Sequence, residues 1–200
     1  MDPSAIIQAE RRLRTAQEAL AEMIMGDPFF EHFDRPWYQL LVAGNSVYSK
    51  LEQGSKTNGK SQAWYGRMKK IRKDDELLSF MHHARNSEEH GLSSSTTGGQ
   101  IKLTPVSEGA AVVSEPARGS KAAAKTSSTA GRDADFQLSI TPIRLIRVRD
   151  DRYNDYFDPP TSHKGLPIDE ALPIPVAELY IAYLSTLIED AKSYVSEVSS

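Results

Sequence analysis

The sequence predicts a mainly α-helical fold, a bundle of four to five helices with a small β insertion ahead of the last one. Three observations carry that prediction. Apolar residues recur at three- and four-residue steps through 6–24, 37–51 and 176–191, the spacing that lines one face of a helix. Composition shifts sharply after Gly91, where Ser, Thr, Gly and Ala take over. Beyond that shift, residues 136–149 alternate apolar and polar side chains with β-branched enrichment, which is a strand signal.

The first helix is expected from Pro3 to Met25. Pro3 suits a first turn because its missing N–H has no helical partner to lose, and Asp2 or Ser4 can cap. Ile6, Ala9, Leu13, Ala16, Leu20, Met23 and Ile24 give it one apolar stripe, and Gly26-Asp27-Pro28 stops it. A second helix is expected to start at an Asp34 cap with Pro36 in its first turn, to bury Trp37, Leu40, Leu41, Val47, Tyr48 and Leu51, and to close at Gly54. The Asn58-Gly59 turn signal leads into a third, shorter helix from Ser61 to Arg72, with Ser61 as its expected cap. Asp74-Asp75-Glu76 then places negative charge where the next helix dipole is positive. Leu77, Leu78, Met81 and Ala84 continue one face, and His90-Gly91 reads as the helix end.

Residues 92–165 are expected to form an inserted β and loop region within one domain spanning 1–200, with a flexible stretch over about 107–134. Gln100–Val106 and Phe136–Arg149 are its expected structured flanks, and Tyr156-Phe157-Asp158-Pro159-Pro160 its extended exit. The final helix starts at Pro175 and runs to about Val195.

Composition narrows the chemistry. The formal charge of -3 removes any whole-surface electrostatic argument for nucleic-acid binding, so such contact would need a local basic patch. The absence of cysteine excludes a disulfide framework, a thiolate metal site and a cysteine nucleophile. No apolar run reaches the length of a membrane span, and the polar start running into Arg11, Arg12 and Arg14 is unlike a secretory signal. The expectation is a cytoplasmic protein without membrane association, cofactor or metal.

The segment His83-Ala84-Arg85-Asn86-Ser87-Glu88-Glu89-His90-Gly91 carries the chemistry. Arg followed by Asn, then three residues, then His, at the end of an internal helix of a small bundle, resembles the Arg-x(4–6)-His signature of HEPN domains. The resemblance covers Pro3 to Gly91 and Pro175 to Val195, leaving the insertion outside. It implies RNA as partner and metal-independent endonucleolytic cleavage that leaves a cyclic phosphate. It also implies a homodimer that pairs two motifs, and a setting in defence or a toxin–antitoxin pair with an antitoxin or regulatory protein. Chemically, His90 has the side chain whose ordinary pKa lies nearest neutral pH and serves as base or acid. Arg85 offers a planar fork matching two phosphate oxygens, and Asn86 a neutral donor and acceptor.

Other interpretations of the same residues stay open. Arg85 and Glu89 stand at i, i+4 and can form a simple surface ion pair. His90 beside Gly91 can be an ordinary helix-end histidine. In that case the chain is a non-catalytic helical dimerisation or interaction module. Arg147 and Arg149, within a basic run from Arg144 to Arg152 followed by Tyr153 and Tyr156, share a face in an extended chain, either as substrate-binding residues or as a charged sheet edge. His163, behind the Pro159-Pro160 turn, either folds back over the helix end bearing Arg85 or rides a stiff connector. His82 and His83 are expected on the helix surface, and Lys69, Lys70, Arg72 and Lys73 on a solvated face.

Overall fold

The computed structural model describes residues 1–26, 30–90, 94–106, 135–150 and 155–195. It is mainly helical, with five helices and a set of short strands that all fall between the fourth and the fifth. The expected stretch 107–134 lies outside the described residues, as do Asp27, Pro28, Gly91, Arg152 and Tyr153.

Helix α1 spans Pro3–Met25, capped by the Asp2 carboxylate, which accepts the Ser4 N–H at 2.8 Å. Its buried face is built largely from Ala5, Ala9, Ala16 and Ala19. Side chains that small let α2 (Phe30–Ser55) approach closely, and at Gly54 any Cβ would overlap Ala5. Helix α2 begins four residues before the expected start, so Asp34 is inside it and Pro36 is an internal proline. The Asp34 carboxylate, inside the helix, accepts from the Thr96 hydroxyl at 3.4 Å, a tertiary partner that local sequence does not announce. The expected apolar series from Trp37 to Leu51 is buried throughout.

Helix α3 covers Gly59–Asp74 and is capped by Asn58, whose side chain accepts the Ser61 N–H at 2.8 Å. Ser61, expected as that cap, lies inside the helix, and its buried hydroxyl donates to the Ser55 carbonyl at 2.8 Å. Helix α4 covers Glu76–His90, with the Leu78 N–H donating to the Asp75 carboxylate at 3.1 Å. Helix α5 covers Pro173–Lys192, two residues longer at its start than Pro175 implied. It seats Tyr180 against Gly44 of α2, where an added Cβ would strike the ring. Trp64 of α3 donates from Nε1 to Asp190 of α5 at 2.6 Å. Trp37, Trp64, Tyr48, Tyr180 and Phe80 are the largest side chains in the shared core.

Among the described residues, the strands form four two-stranded antiparallel sheets. β1 (Thr96–Thr97) pairs with β4 (Arg144–Leu145), and β2 (Gln100–Val106) with β3 (Asp135–Thr141) in the register Ile101 to Ile140 and Leu103 to Leu138. β5 (Val148–Asp150) pairs with β6 (Asp155–Phe157), placing Arg149 opposite Tyr156. β7 (Ser162–His163) pairs with β8 (Leu166–Pro167) through a two-residue turn in which Lys164 (φ 51°) and Gly165 (φ 76°) are both left-handed. Among the described residues, no helix is long and apolar enough to cross a membrane.

Candidate functional site

Arg85 and Asn86 sit side by side one turn before the end of α4, and His90 is the last residue of that helix. The Arg85 guanidinium donates from one Nη to the Asn86 Oδ1 at 3.2 Å, and its other Nη pairs with the Glu89 carboxylate. Its side chain is 21% exposed, yet Nε is buried and has no partner among the described residues. The i, i+4 ion pair that the spacing allowed is therefore present, and it leaves part of the guanidinium unsatisfied. Glu88, the neighbouring carboxylate, is engaged elsewhere. Its Oε1 accepts from the Ser95 N–H at 2.6 Å and the Ser95 hydroxyl at 2.7 Å, while Ser95 Oγ accepts from Trp37 Nε1 at 2.7 Å. This lock ties residues 94–96 to the start of α2. Burial, helped by the charge of Glu88, raises the pKa of Asp34 alongside it.

Two histidines just before the motif are not the surface residues that the sequence suggested. Arg72 folds its guanidinium over the Tyr48 ring, 4.0 Å from the centroid, and donates to Asn45 Oδ1 at 2.7 Å and His82 Nδ1 at 2.9 Å. Because arginine only donates, His82 Nδ1 is the acceptor and the ring proton is on Nε2. Burial and the Arg72 charge push the His82 pKa down to about 3, which keeps it neutral. Arg72, expected on a solvated face, leaves it because its flat cation donates to the half-buried Asn45 and His82 while covering the ring of the buried Tyr48.

The His83 ring lies edge-on to that of His82, centroids 5.0 Å apart, but finds different partners. Its Nδ1 meets the buried Asp150 carboxylate of β5 at 2.9 Å, and its ring stacks on Phe157 of β6 with centroids 3.5 Å apart. Burial lowers the His83 pKa, against the opposing pull of Asp150. Nothing in the sequence links His83 to a residue 67 positions away, so this pair was missed.

The His83 contact fixes the β5–β6 hairpin. Val148 and Asp150 face inward, so strand alternation turns Arg147 and Arg149 outward, with Tyr156 exposed across from Arg149. Arg147, just before β5, and Arg149 within it are both exposed, and Tyr156 is exposed across from Arg149. Arg147 also makes a two-pronged pair with Asp158, at 2.5 and 3.0 Å, with its guanidinium 6.0 Å from the Tyr156 ring centroid. That bond lowers the Asp158 pKa and raises that of Arg147. Tyr156 and Asp158 border an open cleft of about 350 Å³ shared with Lys73, Ser79 and Phe80.

His163 does not join Arg85. The chain after Pro160 folds back on α4, but at its opposite end: His163 Nδ1 lies 3.0 Å from Asp75, and the Lys164 N–H donates to the same carboxylate at 2.8 Å. Ten helical residues separate Asp75 from Arg85, about 15 Å along the axis. Burial acts to raise the Asp75 pKa, but the Lys164 N–H, the His163 ring and the Leu78 N–H outweigh it, and the value falls. His163 thus fastens the β7–β8 turn to the start of α4.

Chemically, α4 offers a cationic fork and an amide near its tip, and along its side a hairpin whose outer face carries Arg149 and Tyr156, with Arg147 paired to Asp158. Among the described residues, no group of three or more His, Asp and Glu is arranged to hold a metal ion. In comparisons with known proteins, the chain matches no family model, no curated protein and no solved structure.

Proposed function

We propose that the chain is a HEPN-type RNA-directed protein, a metal-independent endoribonuclease in which Arg85, Asn86 and His90 act on the phosphodiester. The observation that supports this most is the contact between Arg85 and Asn86 near the end of α4, with a guanidinium Nε that has no partner among the described residues and with one of the two following carboxylates, Glu88, held by Ser95 while Glu89 pairs with Arg85. The Arg85–Glu89 pair does not bar a phosphate. The pair is still partly open to solvent, with side chains 21% and 34% exposed, and a charge-assisted bidentate phosphate contact is the stronger interaction.

In this mechanism His90 removes the proton of the 2′-hydroxyl, whose oxygen attacks phosphorus while the bond to the 5′-oxygen breaks. A cyclic phosphate and a free 5′-hydroxyl result. Arg85 binds the non-bridging oxygens as charge builds on them, and Asn86 holds that fork in place. The leaving oxygen needs a proton, and a second His90 from a homodimeric partner supplies it. Arg147, Arg149 and Tyr156 bind the strand, the arginines by phosphate contact and the tyrosine by base stacking. A place in defence or in a toxin–antitoxin pair, with an antitoxin or regulatory partner in the cytoplasm, follows from the same resemblance.

Purified protein incubated with total RNA in EDTA tests the proposal. Cleavage that disappears in both Arg85→Ala and His90→Ala supports it. A second proposal rests on the Glu89 pairing, which neutralises Arg85: a non-catalytic helical module that dimerises or holds a partner. A folded dimer that leaves RNA intact supports that one.

A further inference from the structure

The outer face of α5 has a feature that the RNA proposal does not use. An open groove of about 690 Å³ runs between α5 and the segment that leads into it, lined by Ile168, Leu172, Leu179 and Ala182. Leu179 is 39% exposed, and Leu166 on the adjoining β8 is 70% exposed. Exposed aliphatic side chains of this kind give a partner segment apolar surface to pack against. Three carboxylates, Asp169, Glu170 and Glu178, border it. None of the three joins an ion pair among the described residues, and residues 165–191 contain no Lys or Arg.

We propose that this groove docks a segment of a protein partner that sets aliphatic side chains between Lys or Arg residues. The apolar floor calls for aliphatic groups. The carboxylate rim calls for cations, because an uncharged apolar occupant would strip water from three carboxylates and return nothing. RNA is repelled by the same rim. A second copy paired face to face about a two-fold axis would bring Glu178 and its neighbours against their own counterparts, which is unfavourable. This inference stands apart from the chemistry at Arg85 and survives if that chemistry fails.

The test uses a fluorescein-labelled amphipathic helical peptide of leucines and lysines, and its twin with glutamates in place of lysines. Fluorescence anisotropy should show one-to-one binding of the lysine peptide and binding of the glutamate twin weaker by roughly tenfold or more. Leu179→Asp, and separately the double variant Glu170→Lys with Glu178→Lys, should each weaken the lysine peptide about fivefold or more at unchanged melting temperature. If Leu179→Asp fails to fold, the charge-reversed protein alone decides. Equal binding of the two peptides, no binding, or indifference to the groove variants overturns the proposal. So does a concentration-dependent dimer that Leu179→Asp abolishes, since it would give the groove to a second copy.

Discussion

Arg85 divides its guanidinium between Asn86 and Glu89 and leaves Nε without a partner among the described residues, and that division can be tested directly. Replacing Glu89 with Gln removes the competing charge. RNA affinity, read by anisotropy of a labelled single strand, should rise roughly two- to fivefold, equivalent to about 0.4–1 kcal/mol. A fall in affinity would mean that Glu89 positions Arg85 and does not compete for it. His82 gives a second prediction. Its pKa is about 3 in the folded chain and about 6.5 when unfolded. Between those values the unfolded chain binds more protons, so this histidine contributes stability that is complete above about pH 6.5 and is lost as pH falls toward 3. Urea melts at pH 6.5 and pH 4.5 should show a smaller stability loss for His82→Gln than for the parent. Equal losses would contradict the buried neutral imidazole. In the sequence, His82 and Arg72 looked like surface residues because charge and spacing report a side chain's chemistry but not its tertiary neighbours.

At the scale of elements, the helices were legible because burial imposes a period that composition can show. The series Trp37 to Leu51 and Val176 to Ala191 belong to buried helix faces, apart from Leu179, which lies half open in the α5 groove. The starts of helices were less legible. Asp34 and Ser61 are good caps in isolation, yet Thr96 and the Ser55 carbonyl bind them within helices that begin earlier. The docking of the β5–β6 hairpin was not legible at all, since it depends on His83 meeting Asp150 and Phe157. Two predictions follow from that docking and from the Ser95 lock. Tyr156→Ala should weaken single-stranded RNA binding by about 1 kcal/mol or more, near fivefold, without lowering the melting temperature. An unchanged affinity would remove the hairpin from the RNA surface. Ser95→Ala leaves the buried Trp37 Nε1 unpaired and strips Glu88 of a donor. It should cost about 1–3 kcal/mol in chemical denaturation, and a cost near zero would show the lock to be dispensable.

For the whole molecule, the five described helices pack on one core while two hairpins fasten to α4: β5–β6 along its side through His83, and β7–β8 at its start through Asp75. Helix α4 is thus both the centre of the fold and the carrier of the motif. The motif lies on an internal helix, as the sequence predicted, whereas His163 proved to hold the far end of that helix. The most direct test of the RNA chemistry is an analysis of product ends after a defined single-stranded RNA is incubated with the protein in EDTA. The account predicts fragments ending in 2′,3′-cyclic phosphate and 5′-hydroxyl, absent with His90→Ala. Intact RNA from a folded protein, or cleavage that persists in His90→Ala, would contradict it.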